Sequence, residues 1–140
     1  MSGRLFLVDG DNHIYEGLKG IESVGLGDSV LVYVSQKDLL EKLKIKSCGR
    51  IQIKEVTPGD QAIDNVIKSR LGSEIKQDRY REVIVVSHDK GYMKMIDKAH
   101  KNGKMRYRQA KSIKEVLRES FFDSRELTFE ETLNKTFRSR

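Results

Sequence analysis

The sequence predicts an α/β fold, a three-layer α/β/α sandwich around a central, mostly parallel sheet of five strands. Three observations carry this. Short β-rich runs alternate with helical patterns along the whole chain. Two of those runs, Leu5-Phe6-Leu7-Val8 and Val83-Ile84-Val85-Val86, are continuously apolar, as strands buried on both faces of a parallel sheet must be. The 140 residues contain a single proline and no low-complexity linker, so they suit one continuous core better than two.

Leu5–Val8 is the first strand and runs into the polar cluster Asp9-Gly10-Asp11-Asn12. A helix-compatible stretch near 12–20 and a turn at Gly25-Leu26-Gly27-Asp28 lead to a second strand, Val30–Val34. Leu39, Leu40 and Leu43 mark a short amphipathic helix, and Ile51–Val56 alternates loosely enough for an edge strand. Thr57 is then placed to cap a helix with Pro58 at its first position and Ile63, Val66, Ile67 and Leu71 at helical spacing. The fourth strand, Val83–Val86, ends at Ser87-His88-Asp89. A helix carrying Tyr92, Met93, Ile96 and Ala99 stops at Asn102-Gly103, ahead of a short strand over Met105–Arg108. Capping boxes at Ser112–Glu115 and Thr128–Glu131 predict helices over 112–121 and 128–137. Residues 1–122 thus form the domain and 123–140 a helical extension, whose Phe121, Phe122, Phe129, Leu133 and Phe137 would dock on the domain or pair with a second copy as a homodimer.

The net charge of +6 is unevenly placed. Residues 1–97 hold 15 basic and 15 acidic side chains, whereas 98–140 hold 12 and 6. A neutral body with a basic end suits a protein that holds a polyanion near an acidic site; a solvated surface is the plainer account. No apolar run is long enough to span a bilayer, and the first residues lack the pattern of a signal peptide, which predicts a soluble, cytoplasmic protein. The lone Cys48 excludes an internal disulfide and has no ligand-spaced companions, so neither a disulfide-stapled secreted fold nor a zinc site is expected.

Right-handed crossovers predict the strand order 3-2-1-4-5, in which strands one and four lie side by side at the reversal of order. Asp9 and Asp89 would then face each other across the crevice beyond the strand ends. Asp60 and Asp64, four apart, would share one helix face above it. Carboxylates gathered in this way raise one another's pKa unless a cation lies between them, and a hard cation such as Mg2+ or Mn2+ fits an all-oxygen set. Phosphodiester hydrolysis is the reaction class that follows. Taken singly, Asp11, Asn12, Asp60 and Asp89 could equally be helix or turn caps, and Asp64 a solvated helix residue.

Leu7-Val8-Asp9-Gly10-Asp11-Asn12, Gly59-Asp60 with Asp64, and Val85-Val86-Ser87-His88-Asp89 resemble, in order, the three acidic motifs of NYN domains, a branch of the PIN-like nucleases. The resemblance spans residues 4 to about 108. It implies a metal-dependent ribonuclease acting on RNA, with Asp9 and Asp89 as principal Mg2+ or Mn2+ ligands and Asp60 or Asp64 completing the set. It also implies that Asn12 orients substrate or a water, and that Ser87 supports Asp89. The chain departs from the family at Gly91, where a second acidic residue is usual, and in lacking a recognisable lysine ahead of Asp60; Asp64 or Asp11 would have to compensate.

Two further readings remain open. One is a nuclease-like fold that binds RNA or a protein partner without cutting. The other is a haloacid-dehalogenase-type phosphatase, since Asp9-Gly10-Asp11 resembles that family's nucleophile and acid pair and Gly59–Asp64 its magnesium motif. That motif would come too early in the chain, and His13 stands where Thr or Val is usual. Lys90, Arg106 and Arg108 are the candidate phosphate contacts, the arginines sharing one face of the last strand. His13 and His88 fall near the cleft rim and His100 elsewhere, all three read as surface histidines. Tyr15 and Tyr92 could stack on bases but are read as core.

Overall fold

A computed structural model describes residues 2–35, 50–59 and 61–118. Five strands form one parallel sheet: β1 (Ser2–Asp9), β2 (Ser29–Val34), β3 (Arg50–Glu55), β4 (Tyr80–Val86) and β5 (Tyr107–Ala110). Their order is β3-β2-β1-β4-β5, with every neighbouring pair parallel. The helices are α1 (Ile14–Gly17), α2 (Ala62–Gln77), α3 (Met93–Lys101) and α4 (113–118). None of the described helices is long and apolar enough to cross a membrane. The predicted helix around Leu39–Leu43, Cys48 and the helix over 128–137 with its phenylalanines lie outside the described residues.

Alternation along β1 explains the three layers. Phe6 and Val8 point to one face of the sheet and Leu5 and Leu7 to the other, all four fully buried. The first face joins Val30, Val32, Ile84 and Val86 to Ile14, Leu18, Ile21 and the α4 residues Ile113 and Val116. The second joins Leu31, Val83 and Val85 to Ile63, Ile67 and Leu71 of α2 and to Ile96 and Ala99 of α3. A central strand buried on both sides cannot alternate with polar residues, which is why it reads as an unbroken apolar run. The edge strand β3, by contrast, is exposed or half-buried throughout.

Several expected boundaries move for identifiable reasons. The helix expected to start at Thr57-Pro58 begins instead at Ala62, after Gln61 in the left-handed region (φ 56°). Val56 N still bonds to Val34 O, so the chain remains tied to the sheet edge, and Pro58 disfavours helical backbone at Thr57. The last strand lies at Tyr107–Ala110 rather than 105–108, because Tyr107 is the side chain that fits the core; its hydroxyl donates to Glu74 O and Asp78 Oδ1. The stretch near 12–20 contains only one helical turn, and Tyr15 on it is 63% exposed, not core. Tyr92 is fully buried, as expected. Asn102 and Gly103 (φ 82°) end α3, and Ser112 Oγ accepts from Glu115 N while Glu115 reaches back to Lys111 N.

Away from the strand ends, α2 buries an acid. Glu74 is 1% exposed and accepts from Arg70 Nε at 2.7 Å, Arg79 Nε at 3.0 Å and Arg79 Nη2 at 2.9 Å. Burial alone would raise its pKa, but the hydrogen bonds and charges of the two guanidinium groups outweigh it and hold the carboxyl below its usual range. A depressed folded-state pKa means that Glu74 stabilises the fold above its unfolded pKa and that this contribution is lost as pH falls through the folded value. Replacing Glu74 by Gln should cost about 2 kcal/mol at pH 7, since the arginines left behind reach water, and the difference from wild type should shrink below about pH 4. Urea denaturation at pH 7 and at pH 3.5 measures both.

Candidate metal centre at the strand ends

β1 and β4 are neighbours, so the residues that follow them meet. Asp9, the last residue of β1, is 6% exposed; its Oδ1 accepts from Asp11 N at 3.3 Å and its Oδ2 from Ser87 Oγ at 3.2 Å. Ser87 Oγ in turn accepts from Asp89 N at 3.0 Å. Ser87 therefore ties the tip of β1 to the turn that carries Asp89, contacting both aspartates. Asn12 makes a second stitch, its Oδ1 accepting from His88 N at 2.9 Å. Gly10 makes the bend after Asp9 possible: a Cβ there would lie 2.4 Å from Tyr33 O, so only glycine lets β1 turn against β2.

Asp64 enters from α2. It is buried, its Oδ2 is 2.9 Å from Lys68 Nζ one turn later, and its carboxylate also lies within hydrogen-bonding reach of the buried Tyr92 hydroxyl. Asp9, Asp64 and Asp89 all line one open cleft of about 230 Å³, together with Asp11, Asn12 and the start of α2. Asp60 lies outside the described residues, although Gly59 and Gln61 on either side of it line this cleft. Asp11 is exposed and accepts from Ser35 N at 3.3 Å and Ser35 Oγ at 2.7 Å, which ties it to the end of β2. Neither Asp11 nor Asn12 caps α1, whose preceding residue His13 adopts left-handed backbone (φ 53°) with no side-chain cap. Asp89 does serve as a cap: its Oδ1 accepts from Gly91 N at 2.9 Å, at the head of a 3-10 turn, Lys90–Tyr92.

The ligand arrangement is looser than direct sharing of one ion requires. Among the described residues, no three of these carboxylates bring oxygens all within 4.8 Å of one another. The donor set nonetheless fits a hydrated hard cation. All donors are oxygens, and Mg2+ keeps several of its waters when bound. Burial pushes the Asp9 carboxyl above its ordinary pKa, with Asp11 and Asp64 adding repulsion and the Asp11 N–H and Ser87 hydroxyl only partly offsetting it.

Two neighbours of this cleft, Lys68 and Gln109, are not among the residues singled out in the sequence, and a third, Tyr92, is read there as core. Lys68 sits over the Tyr92 ring, 6.0 Å from its centre, and a Cβ added at Gly91 would lie 3.3 Å from its ammonium. A cation of the protein therefore stands beside the position where the NYN pattern usually has a second acid. Its i, i+4 spacing from Asp64 was a readable signal. Tyr92 presents a buried hydroxyl whose pKa is driven far up by burial and by Asp64, so it stays a neutral phenol. Gln109 Nε2 donates to Ser87 O at 2.8 Å and Asp89 O at 2.6 Å, bracing the turn from β5 in a way that only the strand pairing reveals.

The three cationic candidates divide. Lys90 is exposed next to Asp89. Arg108 is level with Ile84 and 3.6 Å from Glu82, and Arg106 precedes β5, 3.8 Å from Asp78. At about 3.3 Å per residue, Arg106 lies roughly 15 Å back along the strands from Ser87. The structure thus brings neither arginine to the cleft. No family model matches this chain, and no curated protein or solved structure matches it significantly.

The raised pKa of Asp9 has a thermodynamic consequence. Between the unfolded value of 3.8 and the higher folded one, the native state binds the proton more tightly, so stability falls as pH rises through that window. Asp9→Asn should therefore melt above the metal-free wild type at pH 7, with the difference narrowing as pH falls towards 4. Saturating Mg2+ or Mn2+ should raise the wild-type melting temperature and leave that of the variant nearly unchanged. Calorimetric scans in chelator and in 10-fold steps of added metal check both.

Proposed function

We propose that this chain is a metal-dependent ribonuclease of PIN-like, NYN-type character, hydrolysing RNA phosphodiester bonds at the cleft beyond β1 and β4. The observation that carries the reading is the convergence of Asp9, Asp64 and Asp89 on one cleft at the reversal of strand order. Asp9, Asp64 and Asp89 would hold Mg2+ or Mn2+, with Asp60 as a further candidate. When bound, the ion would supply charge neutralisation for a phosphate and acidify an attacking water. Ser87 keeps Asp9 and the Asp89 turn in register through its hydroxyl. Asn12 is a positioning residue that holds the His88 main chain. Lys68 sets its charge beside Asp64, and Lys90 is the exposed cation best placed to meet a phosphate. RNA is the proposed partner, with the excess of basic residues after position 97 drawing the polyanion in.

Gly91 and Lys68 favour a second reading, in which the cleft binds RNA without cutting it. The Lys68 ammonium already partly neutralises Asp64, and Asp89 spends one oxygen on Gly91 N. Incubating the full chain with end-labelled single-stranded RNA in Mg2+ or Mn2+ separates the two. Cleavage should appear with wild type and fall at least about a hundredfold for Asp9→Asn and for Asp64→Asn, both of which remove an anionic metal ligand. RNA retained on a filter but left intact by the wild type selects the binding reading; cleavage that survives both substitutions places the chemistry elsewhere.

A further inference from the structure

The structure also groups two imidazoles and a carboxylate beside the acidic cleft. His13 follows Asn12 after the first strand end, Glu16 lies one turn later in α1, and His88 follows Ser87 after β4. One ligand atom from each lies within 4.8 Å of the other two, the tightest such group of potential metal ligands among the described residues. The geometry points to a second cation site of different chemistry, in which His13, His88 and Glu16 bind Zn2+ or a similar borderline transition-metal ion.

Three features favour an ion over a mere histidine contact. His88 Nε2 is 3.1 Å from Glu16 Oε1, yet this buried nitrogen makes no hydrogen bond of acceptable geometry. Two potential ligand atoms are thus held close together, near the edge of about 3.3–3.6 Å that a tetrahedral ion has at metal–ligand lengths of about 2.0–2.2 Å. The His13 and His88 rings stand 4.3 Å apart, tilted by 40°, so the two imidazoles are held as neighbours. His13 is held in left-handed backbone, uncommon for a residue with a side chain, and that conformation sets its ring against His88.

The donors select the metal. Two imidazoles with one carboxylate suit Zn2+, Co2+ or Ni2+ far better than Mg2+, which prefers oxygen and water. Three protein ligands leave a position for water or an anion. The site shares no ligand with the aspartate cleft, but the Asn12–His88 hydrogen bond couples the two loops that carry both. Occupancy would thus stiffen the rim of the cleft, whatever the cleft itself does.

Co2+ titration of the full chain tests this, with millimolar Mg2+ present to compete at the carboxylates. Wild type should develop the visible absorption of a four- or five-coordinate, nitrogen-ligated Co2+, displaced by one equivalent of Zn2+, and Asp9→Asn should retain it. His88→Ala and His13→Asn should weaken binding on the order of a hundredfold. Asparagine keeps a residue tolerant of left-handed backbone, so the second variant preserves the turn, and circular dichroism verifies folding. Wild type without the absorption, or either histidine variant retaining it, overturns the proposal. Loss of the absorption in folded Asp9→Asn also overturns it, because the ion would then sit among the aspartates. RNA cleavage in Mg2+ is read separately, so failure of the ribonuclease reading leaves this result standing.

Discussion

The hydrogen bond from Ser87 Oγ to the buried Asp9 carboxylate joins the ends of the two central strands, and the cleft is organised around it. It exists because β1 and β4 are paired in parallel, with Val8 opposite Val86, so the next residue of each chain emerges at the same level. The same hydroxyl accepts from Asp89 N, which sets the exit path of the chain after β4. Removing that contact would leave a carboxylate at the mouth of a parallel sheet with one fewer donor and a neighbouring turn without its anchor.

A tension runs through this arrangement. Parallel sheets are stable because both faces are dry, and here Asp9 is drawn into that dryness at the end of an apolar strand, which raises the cost of its charge. Elsewhere the protein resolves the same problem internally: Glu74, equally buried, receives two guanidinium groups. At the cleft, no such pair is supplied to Asp9 among the described residues. Asp64 is served by the Lys68 ammonium and faces the buried Tyr92 hydroxyl. Glu74 is thus a structural ion pair, whereas Asp9 is held by one hydroxyl and one amide.

Where expectation and structure part, the cause is usually a competing local demand. Thr57-Pro58 has the composition of a helix start, but the backbone there is still bound to the sheet edge, so α2 waits for the left-handed Gln61. Arg106 and Arg108 meet Asp78 and Glu82 in the fold, and neither is among the residues that line the cleft. Tyr15 carries an aromatic ring on a helical pattern, yet α1 is a single turn, too short to bury a second face.

The sequence by itself determined the architecture. Unbroken apolar strands at Leu5–Val8 and Val83–Val86, separated by helical patterns, leave few alternatives to a parallel sheet covered on both sides, and the handedness of crossovers then dictates 3-2-1-4-5. Asp9 and Asp89 were legible because strand ends in such sheets are where functional groups collect. Only the tertiary structure decided how the side chains spend their donors and acceptors: Asp89 on a turn, Asp11 on Ser35, Gln109 on two carbonyls, and His88 against His13 and Glu16. Those choices rest on distances between residues far apart in the chain, and periodicity, which reports only which way a side chain faces, contains no such distances.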